Sequence, residues 1–491
     1  MDHAKGTLSL THIVVALVVA VRILQAVNNI FFHPLSKFSG PKLRSAFFFP
    51  STYEVFTGNI PFNWHKIHEQ YGDIVRINPN TLSIIKPDAW RGISSNDRSH
   101  PEFYFRGTGG EPVDIISADN ANHARIRRPL NHAFSEQALR NQEEIINSYI
   151  TLLIEKLHKR AQARVSVDIM RWLNFTTFDI TGDLAFDESF DSLKNEDYNS
   201  WIANMFQLLR VASMLRATST YPIVGVPIMM LLKKIPGLAK ARYAHESYTR
   251  DKTARRLEKK TDRKDFISYI LKNNDDKGMT PDEIKQTSGT LIIAGSETSA
   301  TLTSGAIFYL LKHPSWIERS YQELRSTFKN EAHMSFASLS QLKILNAIIQ
   351  ETFRMYPPVP TSLPRVVPSE GATVCGTYIP SGTQLGIAQY PAYRSSQNFK
   401  NAGTFSPERF LGDEEYANDK RSVIQPFSVG PRNCIGQSLA WAEIRAILAR
   451  LIWHFEFELE EESTNWVDQK VFILWQKPSL MVRLRARETL V

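Results

Sequence analysis

Residues 8–32 (LSLTHIVVALVVAVRILQAVNNIFF) form one apolar run whose only formal charge is Arg22. As a helix rising about 1.5 Å per residue, this run reaches the hydrocarbon thickness of a bilayer. Arg22 lies toward one end, where its side chain can snorkel to the interface. Lys37, Lys42 and Arg44 follow the run and only Lys5 precedes it, so the charge asymmetry places the bulk of the chain in the cytosol. A cleaved signal peptide fits less well, because the start Met-Asp-His-Ala-Lys has no basic cluster and no clear small-residue cleavage site follows. The pattern therefore divides the chain into a membrane anchor (1–32), a proline-marked hinge (33–50, HPLSKFSGPKLRSAFFFP) and one domain over 51–491, within which no long linker marks a boundary.

Beyond the hinge, two periods alternate. Ile74 to Ile77 and Thr81 to Ile85, joined at Pro79-Asn80, predict a β-hairpin. Apolar positions at helical spacing then predict helices over Asn120–Phe134, Gln142–Ala161, Trp201–Leu215, Pro281–Lys312, Pro314–Phe328, Leu339–Tyr356 and Ile435–Phe455. Near the C-terminus, Val471 to Trp475 and Leu480 to Leu484 flank Gln476-Lys477-Pro478-Ser479, which predicts a second hairpin. The fold class is mainly α with small β-sheets.

Composition narrows the chemistry. With 43% hydrophobic and 22% charged residues among 491, the chain is globular rather than disordered. Its two cysteines, Cys375 and Cys434, form no CxxC pair, which excludes a disulfide framework and a cysteine-rich zinc site. A formal net charge of +8 suits an acidic partner or an anionic membrane surface. Nucleic acid is a poor third choice, because no recognition motif is present and the densest basic run, residues 255–260, is broken by Glu258.

The chemistry concentrates at Phe427-Ser428-Val429-Gly430-Pro431-Arg432-Asn433-Cys434-Ile435-Gly436, followed at once by an amphipathic helix. A cysteine at a helix N-terminus meets unpaired N–H groups and the positive end of the dipole, which favour the thiolate, the form that binds a soft metal. Two further motifs precede it: Glu351-Thr352-Phe353-Arg354, with its glutamate and arginine on one helical face, and Phe405-Ser406-Pro407-Glu408-Arg409-Phe410. Earlier still, Ala294-Gly295-Ser296-Glu297-Thr298-Ser299 places glycine beside hydroxyl residues inside the longest helix. That composition loosens a helix locally and opens a groove for water.

The FxxGxRxCxG loop resembles the haem loop of the cytochrome P450 family at every fixed position, and the ExxR pair, the Arg409 segment and the Ala294–Ser299 segment occur in the family's order. The resemblance covers roughly residues 30–491. The texture of His33–Phe38, His123–Phe134 and Asn174–Phe186 is similar to fungal microsomal members, of the isotrichodermin hydroxylase-like and versicolorin desaturase-like kind, with Ser39-Gly40-Pro41 departing from the usual Pro-Gly-Pro.

The resemblance implies a triangular helical domain enclosing haem b, with Cys434 as axial ligand to iron. Phe427, Gly430 and Gly436 would shape the loop around the cofactor, and His123, Arg127, Arg365 and Arg432 would hold its propionates, His123 standing where the family often has tryptophan. Glu351, Arg354 and Arg409 would brace the loop. Thr298, with Glu297 as acidic neighbour, would assist oxygen activation and relay protons. The implied partners are O2, NADPH-cytochrome P450 reductase and a lipophilic small molecule, probed by segments 103–116, 205–215, 221–232, 292–294, 359–363 and 473–475. Arg128, Arg140 and Arg421 are candidate contacts for an acidic reductase. The implied activity is monooxygenation (hydroxylation, epoxidation or desaturation) of a polyketide or terpenoid intermediate at the endoplasmic reticulum membrane. A haem-thiolate isomerase or dehydratase that uses no O2, and a non-catalytic haem sensor or carrier, are the alternatives.

Overall fold

Helical spacing of apolar residues is realised over most of the chain in the computed structural model, which describes residues 2–93, 113–198, 200–221, 236–259 and 263–488, with positions 225, 227, 230, 231 and 261 between. The principal helices are α1 (Asp2–Val27), α2 (Asn120–Ala133), α3 (Glu136–Gln162), α4 (Ile169–Phe186), α5 (Pro281–Lys312), α6 (Lys343–Met355) and α7 (Gln437–His454). A short π-helix, Asn28–Phe32, continues α1. Together they carry a 23-residue segment, Leu10–Phe32, of mean hydropathy 2.2, long and apolar enough to cross a membrane.

The core is built around α5. Its start is fixed by a reciprocal cap: Thr280 Oγ1 accepts from Glu283 N at 3.2 Å while Glu283 Oε2 accepts from Thr280 N at 2.8 Å, with Pro281 at the first turn. Helix α4 is buried on almost every side and packs along α5, and α6 and α7 pack on α5 from other sides. Helix α3 starts at Glu136, six residues before the apolar period announces it, because Ser135 caps it by accepting from Ala138 N. The predicted helix 339–356 is two pieces, Phe336–Leu339 and α6. At the break the Glu323 carboxylate accepts from Ile344 N and Leu345 N, capping α6 from a neighbouring helix.

The sheets are small. β1 (Ile74–Asn78) and β2 (Thr81–Ile84) form the first predicted hairpin, and β2 pairs in parallel with β7 (Gln384–Ile387), which pairs with β4 (Arg365–Val366). The remaining strands are β3 (Val167–Asp168), β5 (Ala372–Val374), β6 (Thr377–Ile379), β8 (Phe455–Leu459), β9 (Lys470–Phe472), β10 (Leu474–Gln476) and β11 (Met481–Ala486). Residues 33–50 lie against the first sheet. Leu35 is buried among its residues, and Arg76, itself buried in β1, donates to Asn29 O and Pro79 O. Gly40 sits so close to the Arg76 carbonyl that a side chain there would collide with it.

The second predicted hairpin is corrected. The strands β9 and β10 turn about Ile473, at φ 69°, a left-handed conformation costly for a β-branched residue and therefore invisible to turn propensity. β11 belongs to another sheet, between β3 and β8. The segment between β10 and β11 carries Lys477 inward rather than out to solvent.

Candidate functional site

The cysteine loop is shaped by two left-handed residues, Ser428 (φ 58°) and Gly430 (φ 81°), and closed by Cys434 N donating to Phe427 O at 2.8 Å and Asn433 N to Gly430 O at 3.0 Å. Helix α7 begins three residues after the cysteine. Phe427 wedges against Phe353 of α6, with ring centroids 5.3 Å apart. Arg127, one turn beyond His123 on α2, clasps the loop from outside by donating to Asn433 O at 2.7 Å, Asn433 Oδ1 at 2.7 Å and Pro431 O at 3.1 Å.

Behind the loop stands a buried ionic brace. Arg354 donates through Nε and Nη2 to both oxygens of Glu351 (2.8 and 2.7 Å) and through its remaining donors to the carbonyls of Tyr393, Ala402 and Thr404. Arg409 Nε lies 3.3 Å from Glu351 Oε1, and its Nη1 donates to Asp419 Oδ2 at 2.5 Å. Ser406 N also donates to Glu351. All of these side chains are within 2% of full burial. Arg421 extends the brace toward the loop by donating to Arg409 O at 2.6 Å.

Helix α5, packed on α7, runs unbroken rather than loosened at Gly295, and Thr298 Oγ1 donates to Ala294 O at 2.7 Å, the back-bond expected of a helical threonine. Between buried stretches on both sides, Ala294 is exposed and Ile293, Gly295 and Thr298 are half-buried, so the middle of a core helix presents an accessible strip. Glu297 is not on that strip: its carboxylate is 1% exposed and is engaged by Lys477.

The four residues assigned to propionates converge. Burial, joined by repulsion from Arg432, Arg127 and Arg365, lowers the pKa of His123 to about 4, so the ring is neutral at physiological pH and one nitrogen carries a donor hydrogen. Arg432 reaches back to Ala118 O (2.7 Å) and Asn120 Oδ1 (3.0 Å), and Arg365 donates to Leu363 O and Pro364 O. A positive cluster with a neutral donor at its centre fits a dianionic group. At Gly436, an added Cβ would meet only Phe134 and the Cys434 sulfur, at 3.9 and 4.0 Å, so the space beside the sulfur at this glycine is left free by the protein. Cys434 itself is exposed, yet burial pushes its thiol pKa up while the Gly436 N–H and the Arg127 guanidinium pull it down. Surface of this kind opens inward. The donor set and the free space fit haem.

One group beneath this site escaped sequence reading. Glu443 of α7 lies against Ser299 of α5, fully buried, and its Oε1 has no hydrogen-bond partner in the protein. Burial, only partly offset by the Ser299 hydroxyl, pushes its pKa up to about 8. The folded state thus holds a proton that the unfolded chain releases near its ordinary carboxylate range. Stability therefore falls as pH rises from about 4.5 toward 8, by an upper limit of about 5 kcal/mol. Glu443→Gln is expected to remove this slope, gaining stability relative to the native chain at pH 8 and little at pH 5 in urea unfolding. A parallel pH dependence of the two chains would contradict it.

Of the segments expected to contact substrate, residues 103–112 of 103–116 and most of 221–232 lie outside the described residues. Trp475 is core, stacked on Tyr356 at 4.5 Å and donating to Pro357 O at 2.7 Å. Of the basic trio, Arg421 lines a hollow of about 430 Å³ behind the loop with Phe353, Phe427, Gln437 and Trp441. Arg128 is paired with Asp275 at 2.5 Å, and Arg140 lies 3.9 Å from Glu136.

Comparison with known proteins agrees with this geometry. The family model "Cytochrome P450" matches residues 41–484. The cytochrome P450 monooxygenase astJ of Aspergillus oryzae is 41% identical over 474 residues, 94% of each chain. The trichothecene C-4 hydroxylase of Trichoderma arundinaceum is 40% identical over 475 residues, covering 94% of this chain and 95% of its own. Another Aspergillus oryzae cytochrome P450 monooxygenase, aclL, is 40% identical and covers 99% of both chains.

Proposed function

The chain belongs to the cytochrome P450 family, and from that premise we propose that it oxidises a lipophilic intermediate of fungal secondary metabolism with O2 and electrons from NADPH. It is a P450 monooxygenase, and its family binds haem b through a cysteine thiolate. The electrons come through NADPH-cytochrome P450 reductase, which docks over the hollow bordered by Arg421. The N-terminal helix holds the enzyme as a single-pass protein on the endoplasmic reticulum membrane, with the catalytic domain, from residue 51 onward, in the cytosol.

The reading rests on one observation: an exposed thiol three residues before α7, the helix that packs on the core helix α5, whose accessible strip carries Thr298. Bound haem supplies dioxygen binding and O–O cleavage, helped by the electron push of a thiolate. The protein's own groups do the rest. The Gly436 amide and the Arg127 guanidinium favour the Cys434 thiolate against the burial that pushes its pKa up, and bound iron would complete that preference. His123, Arg127, Arg365 and Arg432 pair with two carboxylates, and the Glu351, Arg354 and Arg409 brace keeps the loop from shifting under load. The Thr298 hydroxyl holds and passes a proton at Oγ1, whose present partner, Ala294 O, it can leave without unwinding α5. Substrate is held by shape against apolar side chains, so the C–H bond nearest the reacting centre is the one oxidised. As one relative is a C-4 hydroxylase, hydroxylation is the first outcome to seek.

The test uses anchored microsomes with reductase and NADPH, challenged with fungal metabolite extracts and read by mass. A product heavier by one oxygen supports the reading, and turnover without O2 and NADPH overturns it. In the same assay Thr298→Ala is expected to keep consuming NADPH while product per NADPH drops at least about ten-fold and peroxide rises. Its loss of one helix back-bond is worth only about 1 kcal/mol, so misfolding is no explanation of that result. Unchanged coupling would strip Thr298 of its role.

A further inference from the structure

Glu297 is the acidic residue next to Thr298, and its surroundings are those of a relay rather than of an isolated acid. Lys477 Nζ donates to Glu297 Oε1 at 2.5 Å and to Thr301 Oγ1 at 2.7 Å, with the side chains of the ion pair 3% and 1% exposed. The other carboxylate oxygen, Glu297 Oε2, is buried without a partner. Lys477 arrives from the segment between β10 and β11, which is pinned at two points after it: Trp466 Nε1 donates to Pro478 O at 2.9 Å, and Leu480 N donates to Asp168 Oδ1 at 3.0 Å.

That second pin leads to the surface. Asp168 acts electrostatically on Lys477 and borders an outer cleft of about 170 Å³ lined also by Arg160, Ser166, Arg171 and Glu196. Its Oδ2, like Glu297 Oε2, is buried without a partner in the protein. Buried polar atoms left without protein partners are where ordered water belongs. Asp168, Lys477 and Glu297 thus stand in series between an outer cleft and the helix that carries Thr298.

We propose that Lys477 is a positioning residue that holds Glu297 and feeds it protons drawn from the Asp168 cleft, so that this series is the proton inlet of the enzyme. The inference rests on the monooxygenase reading above. In the forward step Lys477 Nζ gives one proton to the carboxylate of Glu297, leaving a neutral amine and a neutral carboxyl group. The carboxyl group then turns so that this proton stands on the side of the unpartnered oxygen, passes it by water toward the accessible strip that carries Thr298, and the amine regains one from water at Asp168. One proton enters, one leaves, and the pair returns to its ionic form.

Burial raises the proton affinity of the carboxylate and lowers that of the ammonium, which draws the two together. The other titratable groups facing the pair are Tyr198 and Tyr356, both pushed up by burial and neutral, so neither competes for the proton.

The substitutions Lys477→Met and Lys477→Arg in the purified holoenzyme separate charge from proton transfer, because arginine keeps its proton in proteins. With either variant, product per NADPH is expected to fall at least about ten-fold, with peroxide rising and a larger slowing in D2O than the native chain shows. Infrared spectra of the haem-bound protein at rest give a readout independent of turnover. Lys477→Met should show a carboxylic acid band that disappears in the double variant Lys477→Met, Glu297→Gln, whereas Lys477→Arg should show none, since the guanidinium keeps Glu297 ionised.

Native coupling in Lys477→Arg overturns the proposal, as does the absence of a Glu297-dependent band in Lys477→Met. If Lys477→Met fails to fold, the arginine variant alone decides through its coupling. Should the unmutated chain lack the thiolate spectrum under carbon monoxide, the monooxygenase reading fails instead, and the two failures are told apart.

Discussion

Cys434→Ala is expected to yield a folded chain that, reduced under carbon monoxide, lacks the absorption band from which the family takes its name and loses at least about a thousand-fold in oxidation rate. The fold should survive because the cysteine contributes little to it. Its N–H to Phe427 O bond is main-chain and persists in alanine, and the side chain is exposed rather than packed. Unfolding of the haem-free variant should therefore stay within about 1 kcal/mol of the haem-free native chain. Comparing the two chains without haem matters, since bound cofactor stabilises whichever chain retains it. Spectra after expression with supplied haem, and urea unfolding of the apo forms, check both halves. A retained thiolate band would remove Cys434 from the iron. An unfolded apo variant would mean that the loop depends on the sulfur for more than ligation.

What the sequence made legible follows from where the deciding interactions lie. The bounds of α5, Pro281–Lys312, are those of the sequence reading because every signal is local: Thr280 and Glu283 three residues apart, a proline at the first turn, and His313-Pro314 at the end. The cysteine loop was equally legible, since Gly430 must adopt a conformation that other residues resist. The C-terminal strands were misread for the opposite reason. Ile473 turns the chain against its own preference, held by the strands on either side, while Gln476-Lys477-Pro478-Ser479 has the composition of a solvated turn and yet delivers a charge to the core.

Nothing within 100 residues of Lys477 announces its partner, because Glu297 lies 180 residues earlier. Glu443 was hidden similarly: a glutamate on an amphipathic helix reads as solvated until α5 is seen to cover it. Asp419 was also missed as a member of the brace, its motif-free segment giving no sign that it would take the far side of Arg409.

That brace carries the second large effect. Glu351→Ala is expected to lower stability by about 3 to 5 kcal/mol and to abolish stable haem incorporation, because it leaves two guanidinium groups buried and under-compensated. Arg409 retains Asp419, but Arg354 would keep only the carbonyls of Tyr393, Ala402 and Thr404. The harm is specific to a missing charge. Asp419→Asn should cost less, since Arg409 still faces Glu351 and the amide oxygen still accepts from Nη1.

Arg354→Lys should behave like the alanine variant rather than like a conservative change. Arg354 uses Nε, Nη1 and Nη2 together, in a planar fork that meets both carboxylate oxygens and three carbonyls at once, and one ammonium cannot reach that set. The measurement is haem content per chain together with the urea midpoint, for all three variants side by side. If Arg354→Lys matched the native chain in both, the brace would be acting through net charge alone, and the fork geometry would have no bearing on how the cysteine loop is held.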